Sequence, residues 1–177
     1  MNKLMEKLPG DYIAGFVDGE GCFALKFVRS VRYERPNKPV YFYWAIEFAI
    51  VLRADDVEIL EGIRYTLDCG TVRPANKAGC ARLSVAKWDD LSSKVVPFFE
   101  KYPLRAKKRK DYLLWKEALS ILIKNKQVKA FKKITMSDVD LARLKEIHTE
   151  MGEFKSNVKE WKWLKEVDSP FSSVTKE

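Results

Sequence analysis

A chain of 177 residues, 46% of them apolar, can bury the core of one globular domain. Its 33 Lys and Arg outnumber 25 Asp and Glu, and the formal charge of +8 suits a polyanionic partner, although many basic proteins bind none. No apolar run approaches a membrane span, "MNKLMEKLPGDY" has no signal-peptide core, and Cys22, Cys69 and Cys80 read as free thiols in a reducing compartment, so membrane, secreted and zinc-site classes are set aside.

Asp11 is placed to cap a helix over residues 12–20 that Gly21 ends. That helix carries Gly15 and Gly19 on one face, each costing about 1 kcal/mol relative to Ala, and closes on two acids, Asp18 and Glu20. "CFALKF" then alternates, with Phe23, Leu25 and Phe27 on one side and Cys22, Ala24 and Lys26 on the other. "RSVRYERPNKP", with Pro36 and Pro39, reads as a connecting loop. In "VYFYWAIEFAIVL" Phe42, Trp44, Ile46, Phe48 and Ile50 take one face, and Tyr41, Tyr43, Ala45, Glu47 and Ala49 the other. "DDVEILEGIRYTL" has helical spacing through Val57, Leu60, Ile63 and Leu67. "GTVRPA" and "ARLSVA" predict a shorter hairpin around "NKAG", and "WDDLSSKVVPFFEKY" predicts a helix with Leu91, Val95 and Phe98 inward. Two more helices are predicted at about 107–125 and 136–151, with His148 on the solvated surface of the second. "KEWKWLKEVDSPFSSVTKE" holds a short helix and a polar tail expected to fray.

The order αββαββα, followed by a helical extension, predicts an α/β chain of the α+β kind. Its four-stranded antiparallel sheet is backed by helices. One domain spans 1–177, with a core of about 9–125, an extension of about 126–167 and a tail of 168–177. Four strands with one apolar face need helices behind that face. The other face would carry Lys26, Ser30, Arg32, Tyr41, Tyr43, Glu47, Arg73, Arg82 and Ser84. Basic, hydroxyl and aromatic groups together suit a nucleic-acid surface. An ordinary solvated sheet face presents the same pattern.

"IAGFVDGEG", residues 13–21, resembles the LAGLIDADG signature of homing endonucleases, with Ile13, Phe16, Val17, Gly19 and Glu20 as conservative replacements. "VVPFFEKYPL" and "KKRKDYLLWKEAL" continue the similarity, which covers about 9–125. The resemblance implies the αββαββα saddle-sheet fold. It also implies that two motif helices pack across a two-fold axis, where small residues let backbones come close. With one motif in this chain, it implies a homodimer meeting through Tyr12, Gly15, Phe16 and Gly19. Ala14 would also limit bulk along that helix. Packing of the same small residues against another helix of this chain is the alternative.

Residues two apart on a helix point to nearly opposite sides, so Asp18 and Glu20 cannot easily chelate one ion together. The resemblance assigns the metal to the last acid, Glu20, with the carbonyl of Gly19 as second ligand. Mg²⁺ suits such oxygen ligands, with Mn²⁺ or Ca²⁺ able to take its place. It implies hydrolysis of phosphodiesters in both strands of a long, near-palindromic double-stranded DNA site, as in intron homing. Lys107, with Lys108 next to it, matches an assisting lysine; the cluster "RAKKRK" equally suits phosphate positioning alone. Leu52 and Asp56 stand where some relatives carry water-organising Gln and Arg, and Arg53 is the substitute on offer. Two other functions fit the family: an RNA maturase acting on its host intron, and a DNA-binding regulator without cleavage, which the intact Glu20 disfavours. The expected place is the cytoplasm, at the nucleoid, or an organelle whose genome encodes the chain.

Overall fold

The alternating apolar residues pair into one sheet in a computed structural model that describes residues 6–38, 40–74, 79–126 and 136–153. Helix α1 (Gly10–Glu20) runs directly into β1 (Gly21–Val31), which pairs antiparallel with β2 (Val40–Arg53). A 3₁₀ turn (Ala54–Asp56) leads to α2 (Val57–Leu67), then to the hairpin of β3 (Thr71–Arg73) and β4 (Cys80–Val85). The strand order is β1-β2-β4-β3, with every pair antiparallel. A helical run follows: α3 (Trp88–Asp90), a π turn (Leu91–Val95) and α4 (Val96–Lys101). The long helices α5 (Lys108–Lys126) and α6 (Asp138–Glu153) complete the described chain. Among the described residues, no helix is long and apolar enough to cross a membrane.

The core lies between one sheet face and the helices. Ile13 and Val17 of α1 are fully buried, as are Phe23, Ile46, Phe48 and Ile50 from the sheet. Phe23 sits at its centre, with ring centroids 5.2 Å from Phe48, 5.6 Å from Phe99 and 5.2 Å from Trp115. Each such ring removed from water contributes roughly 1.5–3 kcal/mol or more. This cluster joins α4 and α5 to the β1–β2 hairpin, so the end of α1 is held against a firm frame.

The observed elements differ from expectation at four places. Asp11 makes no cap: Pro9 precedes the helix, no side chain caps it, and Asp11 lies in the first turn, where a carboxylate meets the positive end of the helix dipole. As expected, Gly21 ends α1; it does so in extended geometry, its amide donating to Val17 O. Its small size is what matters there, since a Cβ would sit 2.5 Å from Val17 Cγ1. β1 continues to Val31, taking Arg29, Ser30 and Val31 out of the expected loop. In the third helical segment Phe99, not Phe98, is the buried ring, because the π turn adds a residue and carries the inward stripe from Leu91 and Val95 to Phe99. His148 is half-buried against Trp44, with ring centroids 6.1 Å apart, rather than on a solvated surface. The expected short helix and tail within 159–177 lie outside the described residues.

Candidate active site and open sheet face

Helix α1 has two opposite stripes. Ile13, Ala14 and Val17 point into the core, so the small size of Ala14 serves intrachain packing. On the other side Gly15 and Gly19 are exposed, Tyr12 is 46% exposed, and Phe16 is half-buried with its ring 6.1 Å from that of Tyr12. A Cβ built on Gly15 or Gly19 meets nothing within 4 Å. Nothing described in this chain therefore requires glycine at either position.

The two acids of the motif part company as their spacing predicts. Glu20 is exposed at the last residue of α1, where the helix presents unpaired carbonyls and a negative dipole end. Asp18 is half-buried, and its Oδ2 accepts the amide of Arg105 at 2.8 Å. Its other oxygen, Oδ1, is buried with no hydrogen-bond partner among the described residues. Asp18 thus ties the motif helix to the turn that enters α5. Beside it lies a cleft of about 890 Å³ whose lining includes Asp18, Lys107, Lys108, Lys110 and Leu113. Lys107 is exposed in the turn just before α5, and Lys108 is the first residue of the helix. Arg105 escaped the sequence reading. Its tie to Asp18 spans 87 positions, and its only signal was membership of a basic run.

Among the described residues no group of three or more His, Cys, Asp or Glu could enclose a metal. One chain offers a single exposed carboxylate beside helix-end carbonyls. This is a hard-oxygen donor set of the kind that suits a cation such as Mg²⁺.

The strand register puts the expected residues on the face opposite the core. Lys26 and Ser30 of β1 share it with Tyr43 and Glu47 of β2, Arg82 and Ser84 of β4, and Thr71 and Arg73 of β3. Tyr41 pairs with Ser30 in the backbone ladder, and its side chain lies outside the described residues. Arg32 follows β1 and forms an ion pair with Glu34 at 3.8 Å. Leu52 packs against the core, Asp56 is exposed, and Arg53 is held by Asp55 at 2.9 Å.

Glu47 is the strongest electrostatic feature of this face. Burial alone would raise its carboxyl pKa, but Ser84, Arg82 and Lys26 all donate to it and bring it from an ordinary 4.5 down to about 2. Folding lowers this pKa, so the cluster's contribution to stability is fully present above pH 4.5 and is lost as pH falls toward 2. Acid unfolding followed by circular dichroism should show this. The wild type and Glu47→Gln differ most above pH 4.5 and converge near pH 2. Among the thiols, burial and then the nearby Asp90 carboxylate push Cys69 up to about 11, so it stays protonated and inert, and no disulfide forms among the three cysteines.

A four-stranded sheet with one helix-backed and one open basic face, entered from a helix that ends in an exposed acid, defines the homing-endonuclease class of αββαββα fold. The family model for LAGLIDADG endonucleases matches residues 13–119, and the chain belongs to that family. It is 28% identical over 118 residues to "Probable intron-encoded endonuclease 2" of Neurospora crassa, a match covering 67% of this chain and 23% of that protein. The solved homing endonuclease I-TnaI is 30% identical, with a TM-score of 0.66 over 86% of this chain and 92% of its own. The LAGLIDADG homing endonuclease I-LtrWI, solved bound to target DNA, is 23% identical, with a TM-score of 0.66 over 81% of this chain and 44% of its own. The chain spans less than a quarter of the length of three curated relatives it matches, at 23%, 20% and 24%.

Proposed function

We propose that this chain is an intron-encoded, site-specific DNA endonuclease that works as a homodimer and needs a divalent cation. The observation that carries the reading is the outer stripe of α1: two glycines facing open space, ending at an exposed Glu20. Helix backbones can approach closely there, and a second copy would bring a second Glu20 to the same axis. This sequence carries one motif, so in this reading a second copy supplies the other half of the centre.

Glu20 and the carbonyl of Gly19 would hold the cation. When bound, the cation activates water and stabilises negative charge on the scissile phosphate and its leaving oxygen. The chain's own residues do the rest. Asp18 fixes the turn before α5, and Lys107 in that turn supplies positive charge to the phosphate. The open sheet face lies along the duplex, and a pair of chains carries +16, twice the +8 of one. Binding should weaken steeply with salt through counterion release. The chain acts as one domain in this reading, with α6 held to α5 by Arg143, whose Nε and Nη2 donate to the Glu117 carboxylate at 2.7 and 2.9 Å.

Two substitutions separate reading from chemistry. Arg73→Ala should relax base preference at particular positions, because a bidentate Arg–guanine contact is worth about 1–3 kcal/mol of discrimination. Lys107→Ala should slow cleavage of every target alike. Parallel cleavage of a panel of single-base target variants distinguishes them; an equal loss on every sequence for Arg73→Ala would make that residue a phosphate contact.

The function itself is tested by incubating the purified chain with Mg²⁺ and duplex DNA spanning the intronless insertion locus of its own intron. Cation-dependent cutting of both strands supports the proposal. An intact duplex with Mg²⁺ and with Mn²⁺ refutes it.

A further inference from the structure

We propose that Glu47 is a specificity-setting positioning residue, which holds side chains from the two flanking strands in one arrangement so that the sheet reads bases with a prearranged cluster rather than with free cations. The inference rests on the reading of this sheet as the DNA-facing surface. Glu47 stands in the middle of β2, opposite Ala24 of β1 in the ladder. Its Oε2 accepts Lys26 Nζ of β1 at 3.0 Å and Arg82 Nη2 of β4 at 2.9 Å, and its Oε1 accepts Ser84 Oγ at 2.6 Å. The carboxylate side chain is 17% exposed, whereas those of Lys26 and Arg82 are 54% and 38% exposed. The acid lies beneath and the cations lie above it, toward solvent.

A surface built only for affinity would not place a carboxylate there, since it cancels one of two cations that would otherwise attract phosphates. Its physical return is orientation. Lys and Arg have long, rotamer-rich side chains, and a shared anchor removes much of that freedom before any DNA arrives. An Arg held at one edge by a carboxylate keeps its remaining N–H groups for a base edge, and guanine O6 and N7 are the matching acceptors. Ser84 gives its hydroxyl hydrogen to Glu47, so toward the DNA it can only accept, which suits the amino group of adenine or cytosine. The cluster therefore offers two donors and one acceptor in fixed relation.

The test uses the full chain and a library of duplexes with a randomised core. Selection with the wild type must first enrich a consensus; failure at this step counts against the sheet as a DNA reader and so removes the basis of the inference. Given a consensus, Glu47→Gln should bind a random-sequence duplex at least as tightly as the wild type. It should lose about tenfold of the preference for consensus over random DNA, the size of one lost base contact. Arg82→Ala should lose a similar preference, and the double variant should lose less than the sum of the two single losses, because Glu47 acts in part through Arg82. Full preference in Glu47→Gln, or an equal loss on both duplexes, overturns the proposal. If that variant fails to fold by circular dichroism, Ser84→Ala, which removes one anchor, decides: a smaller loss in the same direction supports the proposal and an unchanged preference overturns it.

Discussion

Glu20→Gln should lower cleavage on the order of a thousandfold while folding and duplex binding stay intact. Glu20 is exposed at the end of α1 and lies outside the buried core, so the substitution removes no packing. Glutamine keeps the size of the side chain and loses the negative oxygen that would hold the cation. Supercoiled plasmid carrying the target measures the effect, since nicked and linear products separate on a gel. Mixing wild-type and Glu20→Gln chains in equal amounts adds a second readout. Pairs with one intact acid should accumulate nicked plasmid, the result expected where each Glu20 serves one strand. Undiminished linearisation by the Gln variant would remove the metal assignment.

Gly15→Leu or Gly19→Leu should convert a dimer into a monomer without unfolding it. The expected signs are opposite for the two properties. No described residue lies within 4 Å of the built Cβ at either position, so a side chain there sets out into open space. Replacing a helix-interior glycine removes a propensity cost of up to about 1 kcal/mol, so the isolated monomer should be as stable as the wild-type chain or slightly more so. At a close helix–helix contact the same leucine forces the backbones apart, and cleavage of both strands is lost with the dimer. Light scattering coupled to size exclusion, beside thermal melting at low protein concentration, measures both. A variant that stays fully dimeric would place the glycines outside the interface.

What was legible in the sequence was whatever is local and periodic. Phe23, Leu25 and Phe27 alternate with Cys22, Ala24 and Lys26, and a period of two assigns each to its sheet face without any knowledge of partners. The same alternation put Lys26, Glu47, Arg82 and Ser84 on the open face. That Glu47 binds the other three depends on the pairing of β2 with both β1 and β4, which no local pattern reveals. The burial of Phe99 in place of Phe98 follows from a π turn, and a 3.6-residue period carries no sign of an inserted residue. The openness around Gly15 and Gly19 could not be read either. Small residues look the same whether they pack inside one chain or between two, and only the surrounding atoms tell them apart. Helix spacing parts Asp18 from Glu20 but assigns it no task, whereas its bond to the Arg105 amide, 87 positions away, does.

The central claim is that two copies join through the outer stripe of α1 to make one centre that cuts both strands of a two-fold related site. A cleavage selection over a duplex library with a randomised core, run with Mg²⁺ while the mass of the protein–DNA complex is measured, tests it most directly. Two chains per duplex, both strands cut, and selected left and right half-sites related by two-fold symmetry are the predicted result. Efficient cutting of both strands by a single chain, at sites whose halves bear no relation to each other, would contradict it.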